Sequence, residues 1–308
     1  MNLEDHLGDI LRKARRAAGL PLEAVAQAAG LSEPAYAALE ESGQVPGAFA
    51  MTSSVPRLSS PSPHATRGER AGERGAGVIG VERGIPSLNR VASLLGLDAA
   101  KLEGIAAGWL PKARDLGRWR HLEVISTTEG GNAVNACLVW DPNTREAALF
   151  DTGWEARPIL GLIEQHRLSL RYILITHSHH DQVAALEPVR RAAPTASLLA
   201  GSRQPLPPAG LALGRFRISR QVVSGHAGDG VIYVVGGWPE AAPSVAIVGD
   251  TIFAGSIASG FISWEVLKQQ VHDHILGLPL DTLICPGHGP VTTVAEEQAH
   301  NPFFGAPA

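Results

Sequence analysis

Apolar residues recur at helical spacing in the first stretch of the chain, where Leu7, Ile10, Leu11 and Ala14 share one face. Pro21 suits the first turn of a second helix carrying Leu22, Val25, Ala26 and Ala29, and Gly30 ends it. Ser32 stands where an N-cap would open a third helix over 33–41. Two more helices are predicted over 86–97 and 98–107. From about residue 116 the pattern changes. Short apolar runs predict strands over 122–126, 136–140, 147–150, 172–175, 218–223, 231–235, 245–248 and 282–285. Helices are predicted between them over 158–165, 182–193 and 263–275. Alternating strands and helices make this part an α/β domain rich in strand.

Between the third and fourth helices the periodicity stops. Residues 46–84 are rich in Pro, Ser, Gly and Arg and carry no burial pattern, so they read as a disordered insertion. The flanks resemble one another: Glu41-Ser42-Gly43-Gln44-Val45-Pro46 before, and Glu82-Arg83-Gly84-Ile85-Pro86 after. Removing the interval would restore a continuous five-helix unit. The organisation expected is therefore a helical domain in two parts, 1–45 and 85–115 with its linker, interrupted by 46–84. A larger domain over 116–308 follows.

At 308 residues the chain accommodates a large domain plus a small one. Its net charge of -4 gives no global attraction to nucleic acid or anionic membrane. The N-terminus lacks the basic start and apolar core of a signal peptide, and no apolar run approaches the ~20 residues of a membrane span. A soluble cytoplasmic protein without a membrane partner is the expectation. Cys137 and Cys285 lie far apart in sequence and give no disulfide framework.

The chemistry concentrates after the predicted strand over 172–175. There the chain reads Thr176-His177-Ser178-His179-His180-Asp181-Gln182. His177 and His179, two apart at a strand end, can aim at one point. Imidazole and carboxylate are ligands that Zn²⁺ and Fe²⁺ favour. The plainer reading is a solvated polar loop. Further along come Ser224-Gly225-His226, Val248-Gly249-Asp250-Thr251 and Cys285-Pro286-Gly287-His288-Gly289-Pro290. Each lone His or Asp follows an apolar stretch and sits beside Gly, as in a loop whose backbone approaches a bound ion closely.

These four ordered motifs resemble the metallo-β-lactamase superfamily, whose pattern is Thr-His-x-His-x-Asp-His, then Gly-His, Gly-Asp and Gly-His. The tail, with Thr292-Thr293, Glu296-Glu297 and Asn301-Pro302-Phe303-Phe304, and the run Gly249 to Ser256 look most like glyoxalase-II-type members. The resemblance implies an αββα sandwich with metals at one edge, here preceded by a small all-α domain. It implies a first metal set of His177, His179 and His226, a second of Asp181 and His288, and Asp250 bridging. Asp151 matches a position that supports the site from behind. The cofactor implied is zinc, one or two ions, with iron as the alternative.

One departure bears on the metal count. The last His of the family's loop motif is Gln182, and an amide oxygen is a much poorer ligand than imidazole. His180 lies one residue off the spacing and should point elsewhere. The chain also ends soon after Phe304, without the helical domain that helps glyoxalase II bind glutathione, which argues against a glutathione thioester. The stretch from Ile257 to Trp264 lacks the family's common Gly-Arg-x-Asp; Phe261 and Trp264 could line an apolar pocket or open a helix as core residues.

The early helices resemble the helix-turn-helix of the lambda-repressor-like family. That family reads DNA with the start of its third helix. Here this segment is Glu33-Pro34-Ala35-Tyr36-Ala37, which offers no Arg, Gln or Asn to a base edge. Residues 1–45 carry seven acidic and four basic side chains, the reverse of what phosphate binding needs. DNA is thus a disfavoured partner, and docking or a homodimer is the preferred role.

The function expected is hydrolysis of a small ester, thioester or related acyl substrate by hydroxide formed on the metal, with Asp181 as the catalytic residue that orients the water or accepts its proton. A persulfide-dioxygenase-like enzyme with one iron is the second reading. A transcription regulator with a degenerate sensor domain is the third. The insertion yields a first prediction. Joining Gly43 to Ile85 leaves hydrolysis unchanged and the melting midpoint the same or slightly higher, because a shorter loop costs less entropy to close. A midpoint several degrees lower would show that the insert packs.

Overall fold

The computed structural model describes residues 2–44, 86–112 and 116–305. The insertion expected over 46–84 lies outside the described residues. Five helices come first: α1 (Leu7–Ala17), α2 (Leu22–Ala29), α3 (Glu33–Ser42), α4 (Pro86–Leu95) and α5 (Ala99–Ala106). Local chemistry sets their ends. The His6 imidazole and the Asp9 carboxylate each accept from the other's backbone N–H, at 3.2 Å, and cap α1 reciprocally. The Asp98 carboxylate accepts from the Lys101 N–H at 3.0 Å and opens α5. Gly30 and Gly43 close α2 and α3 with φ of 70° and 66°, a conformation that suits glycine. Two details differ from expectation. Pro21 is the N-cap of α2 rather than a residue of its first turn, and Ser32 has N-cap backbone angles but makes no side-chain cap bond.

The remainder is a two-sheet sandwich. The first sheet holds, in order, β1 (Leu122–Glu129), β2 (Asn132–Trp140), β3 (Glu146–Phe150), β4 (Ser169–Ile175) and β5 (Ser197–Ala200). The strands β1 to β3 are antiparallel, and β3 to β5 are parallel. Between β3 and β4 runs α6 (Ala156–Gln165); between β4 and β5 run α7 (His180–Val183) and α8 (Leu186–Ala192). The single helix expected over 182–193 is thus broken, and the break falls where the Ala185 N–H donates to the Gly153 carbonyl at 3.0 Å. The β1–β2 hairpin turns through Gly130 and Gly131, both at positive φ, as a two-residue hairpin loop demands.

The second sheet comprises β6 (Leu211–Leu213), β7 (Phe216–Val222), β8 (Val231–Gly236), β9 (Val245–Gly249), β12 (Leu283–Pro286) and β13 (Thr292–Thr293), in the order β13-β12-β9-β8-β7-β6. A small ribbon, β10 (Ile252–Phe253) with β11 (Ser256–Ile257), precedes α9 (Trp264–Val271). A π-helical turn over His272–Leu276 continues α9, and α10 (Val294–His300) follows β13.

Strand alternation sorts the side chains into layers. Cys137, Val139, Ala148, Phe150 and Leu174 of the first sheet meet Phe216, Ile218, Tyr233, Ile247 and Cys285 of the second. Leu138, Trp140, Leu149 and Ile173 face the opposite way, onto Ile159 of α6 and Val189 of α8. The result is the αββα sandwich that the resemblance implied. Cys137 and Cys285, distant in sequence, become neighbours between the sheets. Both are buried and pack as small hydrophobes, and the Cys285 contact with burial holds the Cys137 thiol well above its usual range.

The outer face of the second sheet is covered by more than α9 and α10. Ile10, Leu11, Val25, Leu39, Leu102 and Ile105 of the five helices share one core with Ile232, Ala246, Val248, Ile252, Leu267, Ile284, Val294 and Phe303. Polar contacts fix the seam. The Ser256 hydroxyl donates to the buried Asp5 carboxylate at 2.5 Å, and Lys13 Nζ reaches both that carboxylate at 2.5 Å and the Ile257 carbonyl at 3.1 Å. Trp109 stacks on His300 with ring centroids 4.7 Å apart. The Lys112 N–H donates to Glu296, and the Asp98 N–H to the Pro302 carbonyl, both at 2.8 Å. The apolar faces of the helical unit are thereby covered by this chain's own sandwich. Among the described residues no helix is long and apolar enough to cross a membrane.

Asp5→Ala leaves the Ser256 hydroxyl without its short acceptor and the Lys13 ammonium without its carboxylate. The expected loss is about 2–4 kcal/mol, read as a fall in the denaturant midpoint. The exposed Arg190–Glu187 pair is the control; Arg190→Ala should change stability by less than ~0.5 kcal/mol. Equal effects would mean that the seam is not an energetic contact.

Candidate metal centre

Strand β4 ends at Ile175 against the sandwich core, and the chain leaves it as Thr176-His177-Ser178-His179 before α7 begins. Asp151, at the end of β3, holds this exit. Its carboxylate accepts from the Thr176 N–H at 2.7 Å and the Thr176 hydroxyl at 2.9 Å. The Asp151 backbone sits at φ 55°, left-handed and unusual outside glycine, and its N–H donates to the Leu174 carbonyl at 2.9 Å. Burial pushes its carboxyl up to about 7 against the opposing pull of the Thr176 hydrogen bonds. Because the Thr176 hydroxyl gives its one proton to Asp151, it accepts from His177 Nδ1, 3.1 Å away.

The same logic fixes two other imidazoles. His226 Nδ1 lies 2.9 Å from the Ser259 carbonyl, and His288 Nδ1 lies 2.8 Å from the Ala133 carbonyl. A carbonyl only accepts, so Nδ1 carries the proton in each ring. All three rings therefore turn Nε2 inward, as the nitrogen left to ligate a cation that displaces its proton. There His177 Nε2 and His226 Nε2 stand 3.0 and 3.1 Å from His179 Nδ1, and 3.6 and 3.7 Å from Asp250 Oδ2. Ligand atoms around a tetrahedral zinc with bonds of ~2.0–2.1 Å are about 3.3 Å apart. The observed separations bracket that spacing, so these four residues fit a cation.

A second set shares Asp250. His288 Nε2 is 3.4 Å from Asp181 Oδ2 and 3.4 Å from Asp250 Oδ2. Each set brings one ligand atom per residue to within 4.8 Å of the others. The electrostatics reflect this crowding. Burial alone would raise the Asp250 carboxyl, but hydrogen bonds to His177 and His288 push it well below the usual range. Burial alone would lower His288, but Asp181 and Asp250 raise it to about 11. Contact with His288 draws Asp181 down. Desolvation lowers His226. The carboxylates favour positive charge beside them, whether proton or metal.

Gln182 is fully buried beside the second set. Its Nε2 donates to Asp250 Oδ1 at 3.1 Å and lies 3.5 Å from His288 Nε2, while Oε1 has no hydrogen-bond partner. In this orientation the amide presents a donor, not a lone pair, to the second set. His180 does turn elsewhere: it is exposed, with its ring 5.6 Å from that of Trp154. Glycines make room for the cluster. A Cβ on Gly287 would lie 2.3 Å from Asp250 Oδ1, and one on Gly249 (φ 49°) 2.3 Å from the Thr176 hydroxyl.

Sequence reading brought out neither Asn132 nor Asn135. The Asn132 amide donates to Asp181 at 3.4 Å. The buried Asn135 amide donates to the carbonyls of Pro286 and Gly289, at 3.1 and 2.9 Å, and so anchors the loop that carries His288. The available signal was a polar residue inside the apolar run Val134 to Trp140. Trp264, a pocket candidate beside Phe261, instead packs on Phe303 with ring centroids 5.4 Å apart.

Comparison with known proteins agrees with this architecture. Residues 130–214 match the metallo-beta-lactamase superfamily. A probable metallo-hydrolase of Bacillus subtilis, YqgX, is 29% identical over 223 residues, which are 61% of this chain and 97% of that protein. The hydroxyacylglutathione hydrolase GloC of Haemophilus influenzae is 26% identical over 217 residues, covering 60% of this chain and 99% of GloC. Among solved structures, the B3 metallo-beta-lactamase BLEG-1 superposes with a TM-score of 0.52 at 25% identity, over 60% of this chain and all of that one. The fold is also that of ETHE1 from Myxococcus xanthus, with a TM-score of 0.50 at 22% identity over 58% of this chain and 83% of that one. With the layered fold and the clustered His and Asp side chains, these likenesses make the chain similar to the metallo-β-lactamase superfamily, with glyoxalase-II-like hydrolases among its relatives.

Proposed function

We propose that the protein is a metal-dependent hydrolase of a small ester, thioester or related acyl substrate. The observation that carries this reading is the convergence of three ring nitrogens with fixed tautomers on the Asp250 carboxylate. Relatives named as metallo-hydrolase and hydroxyacylglutathione hydrolase support it. His177, His179, His226 and Asp250 would hold the first cation, and Asp181 with His288 and Asp250 a second. A divalent cation there would supply Lewis-acid polarisation of the substrate carbonyl and would acidify water.

The chain's own residues do the rest. Asp181 is half-buried, with Oδ2 beside His288 and Asn132, where it can orient the attacking water and take its proton. Water adds to the acyl carbon, the bond to the leaving oxygen or sulfur breaks, and the proton passes to the leaving group. Asp151, through Thr176, keeps His177 in the tautomer that ligation needs. The N₃O donor set suits zinc, and iron would serve with the same residues.

Gln182 favours occupancy of the first set over the second, because its amide donor faces the atoms that a second cation would need. A one-metal centre is also what a persulfide-dioxygenase-like enzyme would use, which keeps that reading as the rival. Elemental analysis separates them: zinc goes with the hydrolase, one iron with the dioxygenase. DNA is not the expected partner, since Glu33 and Pro34 are the exposed residues opening α3. An acyl-bearing small molecule is.

Two outcomes check the assignment. His179→Ala should remove most bound metal and lower thioester or ester turnover by more than the ~10–100-fold typical of losing an outer partner of a metal site. Wild-type metal content and rate in that variant would refute the site. Gln182→His should raise the metal content from about one towards about two ions per chain by restoring an imidazole to the second set. An unchanged metal titration would show that the amide does not limit it.

A further inference from the structure

Three large apolar side chains within six residues are exposed: Phe261 at 73%, Ile262 at 61% and Val266 at 41%. They lie on the loop and first turn leading into α9, and this loop touches the metal centre. The Phe261 ring centroid is 5.4 Å from that of His226 and 6.2 Å from that of His179. Exposure here is built in, because the loop is held on both sides. The N–H groups of Ile262 and Ser263 donate to the Gly225 carbonyl at 2.9 and 3.1 Å, and the Ser259 carbonyl accepts from His226. A Cβ on Gly225 would meet the backbone nitrogen of Leu267 at 2.5 Å, so loop and helix are in close contact. Trp264, three residues from Phe261, is turned in against Phe303.

We propose that Phe261 and Ile262 seat the acyl chain of the substrate, so that the centre selects apolar acyl groups over small polar hydroxyacyl groups. This rests on the acyl-hydrolase reading above. An acyl carbonyl placed at the first His set brings its neighbouring carbons against the Phe261 ring. The second set offers polar groups at its surface instead, with Asn132 and Asp181 in contact and Glu4 packed at Gly289, while the Phe253 ring 5.7 Å from that of His288 is buried. A protein partner is a poorer fit: three partly exposed side chains of at most ~250 Å² each fall short of the ~800 Å² that each side of a stable interface buries. An apolar chain seated there would take this surface out of water.

The test uses straight-chain carboxylates from acetate to octanoate, the products of such a hydrolysis. They are titrated calorimetrically into the zinc-loaded protein, and turnover of the matching p-nitrophenyl esters is measured alongside. Wild-type affinity should tighten by ~3–4-fold per methylene up to about hexanoate, the value for transfer of a methylene out of water. Phe261→Ala combined with Ile262→Ser should flatten this dependence while zinc content, checked by elemental analysis, stays the same. A flat wild-type dependence, or one that the double variant keeps, overturns the seat. Turnover with a flat dependence would leave the hydrolase reading standing and remove only the seat. A steep dependence without turnover would do the reverse.

Discussion

The ligand-type atoms of His177, His179, His226 and Asp250 crowd within 4.8 Å of one another, an arrangement that favours positive charge among them. The structure commits itself to that arrangement from behind. Thr176 and Ser259 take the outer Nδ1 proton of His177 and His226, Ala133 takes that of His288 in the neighbouring set, and Nε2 of each ring is left facing inward. Asp250 then belongs to both ligand sets through a single oxygen, and its carboxyl is held ionised by the imidazoles around it. Strand ends, glycines and buried hydrogen bonds near the site are all arranged around this convergence.

The helical unit enters through the same constraint. The outer face of the second sheet, together with the β10–β11 ribbon, must be covered by something. In this chain α1 and α5 help cover it, and the Asp5–Lys13–Ser256 contacts tie the ribbon down. Glu4 packs directly on Gly289, next to His288. The helices therefore help shape the site's surroundings as well as the core. A helix-turn-helix pattern has the same apolar faces whatever they are used to cover, so the pattern alone does not decide between DNA binding and packing.

Gln182 shows how one substitution changes a shared site. An imidazole there would present a lone pair to the second set. The amide instead gives a hydrogen bond to Asp250 Oδ1, which stabilises the ionised bridge while placing a donor where a cation would sit. Its bare Oε1 is a buried acceptor without a partner. Such an atom costs free energy in a low-dielectric interior unless something positive or donating reaches it.

Much of this was legible in the chain itself. Most strands and helices follow from apolar periodicity and the ordered His and Asp motifs from residue types whose chemistry is narrow, while the αββα class came from the family those motifs resemble, and β5, β6 and β13 were not anticipated. The departure at Gln182 is visible in one letter. Other features were not legible. The break between α7 and α8 depends on a bond from Ala185 to Gly153, and Asn135 matters because it meets Pro286 and Gly289 from another sheet. Phe261 and Trp264 look alike in sequence, yet one lies open beside His226 and the other is packed on Phe303. Local pattern fixes which face of an element is apolar. Only the packed fold decides what that face meets, because the partners come from positions far apart in the chain.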